Sequence, residues 1–353
     1  NGNLWSDAAT VSASLAGAVT KVYDGTADIA MAGATLGTPT GFLFGEAATS
    51  VDLSSATGIL SSKNVGTGVV GLSATPLPPV LDTGSVPTYG YQIGATSGNI
   101  ATVTARPLDI SASGTAKIYD GTTNATVTVT PIGLVVGETV IVSSTAAFAD
   151  KNAGLAKPIN INDITLTGPN AGNYSLKSTS ATTGADIGRA GISVAGITAE
   201  NKVYDGTTKA NLVLGSAALT GKIGADDVAL ASGTVGTFNN KNAGVAKPVN
   251  VTAISLTGAD AGNYLLQNTT AVTNATITQA DISAITGITA DNKVYDGTTS
   301  ATLATGSASF AGKISGDTLV VAGGSGTFAD KNAGLAKPVS ITGLSLGGAD
   351  AVN

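Results

Sequence analysis

The stretch NKVYDGTT occupies residues 201–208 and recurs letter for letter at 292–299, with close copies TKVYDGTA at 20–27 and AKIYDGTT at 116–123. Asp-Gly among alternating apolar residues is a strong turn signal, because Gly accepts positive φ and Asp can bond the backbone just ahead of it. The twelve residues Tyr23, Asp24, Gly25, Tyr119, Asp120, Gly121, Tyr204, Asp205, Gly206, Tyr295, Asp296 and Gly297 are therefore read as four copies of a structural turn. Each tyrosine is predicted to send its ring into a core and its hydroxyl to a partner at the edge. The competing reading makes the four aspartates ligands or acids.

Two further landmarks follow each turn in fixed order. ADKNAGLAKP stands at 149–158 and 329–338, NNKNAGVAKP at 239–248 and a worn SSKNVGTG at 61–68, so that Lys151, Lys241 and Lys331 are 90 residues apart. GPNAGNYSL at 168–176 and GADAGNYLL at 258–266 place Tyr174 and Tyr264 at the same 90-residue interval. Phe148, Phe238 and Phe328 precede the second landmark at matching places and read as core anchors. Units of about 90 residues are the natural division of such a chain. The expected modules are 1–107, diverged, then 108–190, 191–281 and 282–353, the last short of its tyrosine and final strand.

Between landmarks the sequence alternates apolar and polar, as in ATVTVT (125–130), VTAISLT (251–257) and NATITQADISAI (274–285). Period-two alternation cut at short intervals by Gly, Asn, Asp and Pro predicts half-buried strands. The expected fold is all-β: tandem small antiparallel β-sandwich-like modules, or β-grasp-like modules as the alternative. Joints such as ARPLDI (105–110) and TQADIS (278–283) carry no Gly/Ser-rich spacer, which predicts a semi-rigid, elongated rod.

Composition narrows the function. The chain has 353 residues, 42% hydrophobic but only 11% charged, with a formal net charge of −6. No basic stripe is available to neutralise phosphates, so neither nucleic acid nor an anionic membrane surface is an expected partner. No apolar run reaches the roughly 18 residues that a spanning helix needs. Cys and His are absent, which removes the thiolate nucleophile, the commonest general base and the usual transition-metal ligands. No catalytic, cofactor-binding or metal-binding residues are expected. Structural calcium is the one metal this residue set could hold, through Asp, Asn and carbonyl oxygens; Asp226 and Asp227 are its candidates, or else solvated turn residues.

The first module alone carries Trp5, Phe42, Phe44, Tyr89 and Tyr91. Such aromatics are candidate ligand contacts that could stack on a sugar, although local repacking of a diverged module is the preferred reading. Glu46 would be the acid to test for a polysaccharide-cleaving activity. Lys202 and Asn242 are of the residue types that cross-link as isopeptide bonds, but the repeat offers no fixed Glu to promote one.

Taken together, KVYDGTT, then F-x-D-K-N-A-G-x-A-K-P, then L-T-G-A-D-A-G-N-Y-L-L and a closing A-T-I-T strand resemble the YDG-type repeat and its MBG-type relatives. The resemblance is strong over 108–353 and weak over 1–107, where the AGNY block is missing. It implies tandem modules of large secreted bacterial adhesins, similar to filamentous haemagglutinin and exported by two-partner secretion. A non-enzymatic stalk at the extracellular or bacterial outer surface would follow, projecting an adhesive region for attachment between cells or to surfaces and for biofilm formation. Its partners would be host, neighbouring-cell or matrix components met through the wider protein. The alternatives are a glycan- or matrix-binding module centred on 1–107 and a filament subunit assembled by strand complementation, since an incomplete fourth module would leave an open sheet edge for self-association.

Overall fold

The computed structural model describes residues 9–41, 53–73, 75–76, 80–81, 87–88 and 91–353, without the side chains of 75–91. Trp5, Phe42, Phe44 and Glu46, the side chain of Tyr91, and Tyr89 thus lie outside what is described. Two units are distinguished: residues 1–117, 122–150 and 155–187 form the first, and 118–121, 151–154 and 188–353 the second. Among the described residues the chain is built from strands, and its helical content is two single 3-10 turns, Ala171–Asn173 and Ala261–Asn263. Each of those turns leads directly into the AGNY tyrosine.

In the first unit the first repeat forms a five-stranded sheet from β1 (Val19–Val22), β2 (Asp28–Ala30), β3 (Thr57–Leu60), β4 (Gly66–Leu72) and β5 (Thr96–Thr104), in the order β1-β5-β4-β3-β2. β1 and β5 run parallel, with Ala101 opposite Val19; the other pairs are antiparallel. The second repeat begins with β6 (Arg106–Gly114), which pairs antiparallel with β7 (Val127–Ile132). β8 (Ile141–Phe148) pairs antiparallel with β9 (Gly154–Thr167), and β10 (Tyr174–Leu176) lies parallel to β6.

The second unit repeats the plan. Its sheet-forming strands are β11 (Ala190–Ala195), β12 (Lys202–Val203), β13 (Lys209–Ala210), β14 (Ala218–Thr220), β15 (Val235–Phe238), β16 (Gly244–Thr252), β17 (Tyr264–Leu266) and β18 (Ala271–Thr278). They form one sheet ordered β12-β18-β16-β15-β13 and another ordered β14-β11-β17. Each sheet joins its first strand in parallel to a later one, β12 to β18 and β11 to β17, while the remaining pairs are antiparallel. The fourth repeat contributes Ser300–Ala301, β19 (Val320–Phe328) and β20 (Val339–Gly347), paired antiparallel in that order.

The core follows from alternation. In β16 the sequence P-V-N-V-T turns Val249 and Val251 inward, both fully buried, while its polar residues face out. Val249 joins Tyr204, Phe238, Ala275 and Ile277 in one apolar cluster, and Val251 joins Val194, Ile197 and Ile254 in a second. Burying side chains of this size contributes about 1.5–3 kcal/mol each. The A-K-P of the second landmark marks a recurrent irregularity: Ala156, Ala246 and Ala336 all adopt positive φ, 48, 48 and 52°. In β16 this lies where the register with β18 shifts between Gly244 and Lys247, so the repeated alanine bends the strand as a bulge does.

Candidate functional site

The turn aspartates act locally. Asp24, Asp205 and Asp296 each accept hydrogen bonds from the backbone N–H and the hydroxyl of the threonine two residues on, at 2.8–2.9 Å. Each also pairs with the lysine three residues before it: Lys21, Lys202 and Lys293. These bonds hold all three carboxyls down at about 2, with burial working in the opposite direction at Asp24 and Asp205. The following glycines, Gly25, Gly121, Gly206 and Gly297, have φ between 76 and 83°, the region where only glycine is free of strain.

The tyrosines reach much further. Tyr119 donates to Asp226 Oδ2 at 2.8 Å, and Tyr264 donates to the same oxygen at 2.6 Å. Lys151 sets its ammonium 3.0 Å from Asp226 Oδ1 and 3.2 Å from Asp260, and lies over the Tyr119 ring. The two tyrosine rings meet edge to face, with centroids 5.6 Å apart, an arrangement worth about 0.5–1.5 kcal/mol beyond the area it buries. Beside them Asn263 accepts the N–H of Ala153 at 2.9 Å and donates to Asn152 at 3.2 Å. Residues of the second repeat's first two landmarks, 119 and 151–153, thus close on the third repeat's Asp226 and Gly-Asn-Tyr hook. All of these residues belong to the second unit.

The arrangement recurs. In the first unit Tyr23 and Tyr174 both donate to Glu138, Lys63 stands 3.3 Å from it, and Asn173 accepts the N–H of Val65 and donates to Asn64. Tyr23 and Tyr174 make the same edge-to-face contact. In the second unit Tyr204 donates to Asp317 at 2.8 Å, Lys241 bridges Asp317 and Asp350, and Asn353 accepts the N–H of Ala243. The glycine of each turn presses against an aliphatic residue of the next repeat: a Cβ would lie 2.6 Å from Val135 at Gly25, 3.2 Å from Ile223 at Gly121 and 3.0 Å from Ile314 at Gly206. One motif is therefore turn and latch at once.

Electrostatics fit a fixed latch. Burial works to raise the carboxyls of Glu138 and Asp226, but the tyrosine hydroxyls and the nearby lysine outweigh it and hold both below the ordinary range. Burial, and then the bond to the carboxylate, push Tyr23 and Tyr264 up to about 12. Lys151 and Lys241 are raised by their tyrosine and carboxylate partners. Each carboxylate is thus ionised at neutral pH, fully partnered, and mismatched to proton transfer, which works best with a pKa near the operating pH. Among the described residues no buried polar side-chain atom lacks a partner.

Asp226 departs from its reading as a solvated turn residue: it is only 8% exposed, because the Tyr119 and Tyr264 rings cover it. Lysine occupies the place between Asp226 and Asp260 that a cation would take. Among the described residues no group of three or more candidate ligands could hold a metal ion. Sequence reasoning missed Glu138, Asp226 and Asp317 as a set. They share the contexts V-V-G-E, I-G-A-D and I-S-G-D, but the change from Glu to Asp hides them from comparison by identity. In the first repeat L-F-G-E places Glu46 at the corresponding point of the sequence, outside the described residues.

The family model for the YDG domain matches four stretches, 7–76, 104–183, 189–271 and 278–353. Each cluster above draws on two consecutive matches. No curated protein matches the chain. A solved structure, the three N-terminal domains of the bacteriophage RB49 Highly Immunogenic Outer Capsid protein (Hoc), is 11% identical, with 77% of this chain and 99% of that one covered and a TM-score of 0.21.

Proposed function

The chain belongs to the YDG domain family, and we propose that it serves as a non-enzymatic stalk or spacer of a bacterial cell-surface adhesin. In this reading it works at the outer surface, holding an adhesive region of the wider protein towards host, neighbouring-cell or matrix components in attachment and biofilm formation. Export by two-partner secretion and kinship with filamentous-haemagglutinin-like adhesins belong to the same proposal.

The observation that carries it is the recurrence of one latch. The three landmarks of the repeat are spent on joining it to its neighbour: Tyr119 and Lys151 close on Asp226, and Tyr204 and Lys241 on Asp317. A spacer needs defined joints, because reach is lost when joints bend freely. A buried, fully partnered carboxylate at each joint supplies that definition.

Small-angle scattering of the full chain tests the reading. A compact domain of this length would have a radius of gyration of about 20 Å. The proposal requires a clearly larger value and a rod-like profile, with increased bending when Lys151 and Lys241 are both replaced by Ala. A compact profile would remove the spacer reading.

A further inference from the structure

In the third repeat β18 lies between β12 and β16, parallel to the first and antiparallel to the second. Its Ala275 and Ile277 are buried against Tyr204, Phe238 and Val249. In the first repeat β5 takes the same place between β1 and β4, with Ala101 and Val103 buried. The second repeat's strand Ala181–Gly188 buries Ile187 in turn. The inserted strands read Ala-Thr-Ile-Thr (275–278), Ala-Thr-Val-Thr (101–104) and Ala-Asp-Ile-Gly (185–188).

The fourth repeat presents the receiving half of this arrangement. Tyr295, Phe328, Val339 and Ile341, which stand where the third repeat has Tyr204, Phe238, Val249 and Val251, line a groove of about 660 Å³. One wall is β20, which pairs with β19 along one edge only; the other is the extended segment 292–294, which pairs with no strand. Tyr295 is 60% exposed, against 0–3% for Tyr23, Tyr119 and Tyr204. An apolar groove between two open backbone edges is the geometry of strand addition, with main-chain bonds supplying affinity and alternate side-chain pockets specificity.

We infer that this groove is a binding site for an extended peptide segment of the pattern Ala-polar-β-branched-small, inserted antiparallel to β20 and parallel to 292–294. The alanine fits the narrow space above Phe328, and the β-branched residue fills the pocket over Tyr295 and Val339. The partner is a polypeptide strand of this chemistry, recognised as the three inserted strands are. This inference does not rest on the stalk reading.

The test uses the full chain and a labelled synthetic peptide, TAVTNATITQ, copied from residues 270–279. Saturable binding by fluorescence anisotropy is expected, together with hydrogen-exchange protection confined to 292–296 and 339–342. A peptide with Asp at the position of Ile277 should bind at least tenfold more weakly, and its use leaves the protein unaltered. Equal binding of a scrambled peptide of the same composition, protection elsewhere in the chain, or no binding would each overturn the assignment.

Discussion

The hydroxyl of Tyr119 donates to Asp226 at 2.8 Å across 107 residues of sequence, and the hydroxyl of Tyr204 donates to Asp317 at the same distance across 113. Both bonds run from the turn motif of one repeat to a buried carboxylate of the next. The repeat is thus written so that its most recognisable residues are fully satisfied only when a neighbour follows, and this coupling is what the predictions below probe.

Replacing Asp226 by Ala leaves the Lys151 ammonium and two buried hydroxyls without their shared acceptor. Breaking a buried, hydrogen-bonded charge in this way costs about 3–5 kcal/mol. Hydrogen exchange should show the loss at Ala153 and Ile223, whose N–H groups are held by Asn263 and Tyr264, while β8 and β9 keep their protection. Unchanged exchange at both amides would remove the carboxylate from the centre of the joint.

Gly206 and Gly297 have similar φ, 76 and 79°, but a Cβ would meet Ile314 at 3.0 Å in the first and nothing within 4 Å in the second. Gly297→Ala should therefore cost only the left-handed backbone penalty, about 1–2 kcal/mol. Gly206→Ala should cost that and also disturb the Tyr204–Asp317 bond. Chemical denaturation of the two variants compares them directly, and equal losses would count against the latch role of this glycine.

The joints should weaken at both extremes of pH. Glu138 and Asp226 have folded-state pKa values below their ordinary ones, so their contribution is present above about pH 4, near the ordinary carboxylate values, and is lost as pH falls through the lowered ones. Tyr23 and Tyr264 are raised to about 12 by burial and by their carboxylate partners, so their contribution is present below about pH 10 and lost as pH rises through about 12. Tyrosinate absorbance should show late-titrating tyrosines in the native protein that disappear in denaturant. Native titration of all tyrosines near pH 10 would contradict the burial of these hydroxyls.

Phe238 is 1% exposed and packs beneath Lys202, whose ammonium lies 5.7 Å from its ring centroid. Phe238→Ala should cost about 3–5 kcal/mol, whereas Val245→Ala, at an 85% exposed position, should change stability by less than about 0.5 kcal/mol. A comparable loss at both sites, measured by calorimetry, would misplace the core.

Alternation in segments such as P-V-N-V-T and N-A-T-I-T was legible as strand, and Phe238, Tyr204 and Val249 as core, because period-two burial is written locally. The parallel pairing of β12 with β18 was not, since these segments are over 60 residues apart and no local signal states which edge a strand joins. Glu138, Asp226 and Asp317 were illegible for a different reason. Each lies in an ordinary-looking turn, and only the approach of two tyrosines and a lysine from distant landmarks makes it a buried anion.

The sequence by itself determined an all-β chain of four repeats punctuated by Tyr-Asp-Gly, because turn chemistry and strand alternation depend on near neighbours. Only the tertiary structure decided what the motif is for. Its Asp and Gly shape a local turn, as their short side chain and free backbone dictate, while its Tyr spends its hydroxyl on the next repeat, because a phenol buried at a repeat's edge must find an acceptor and the nearest one belongs to its neighbour.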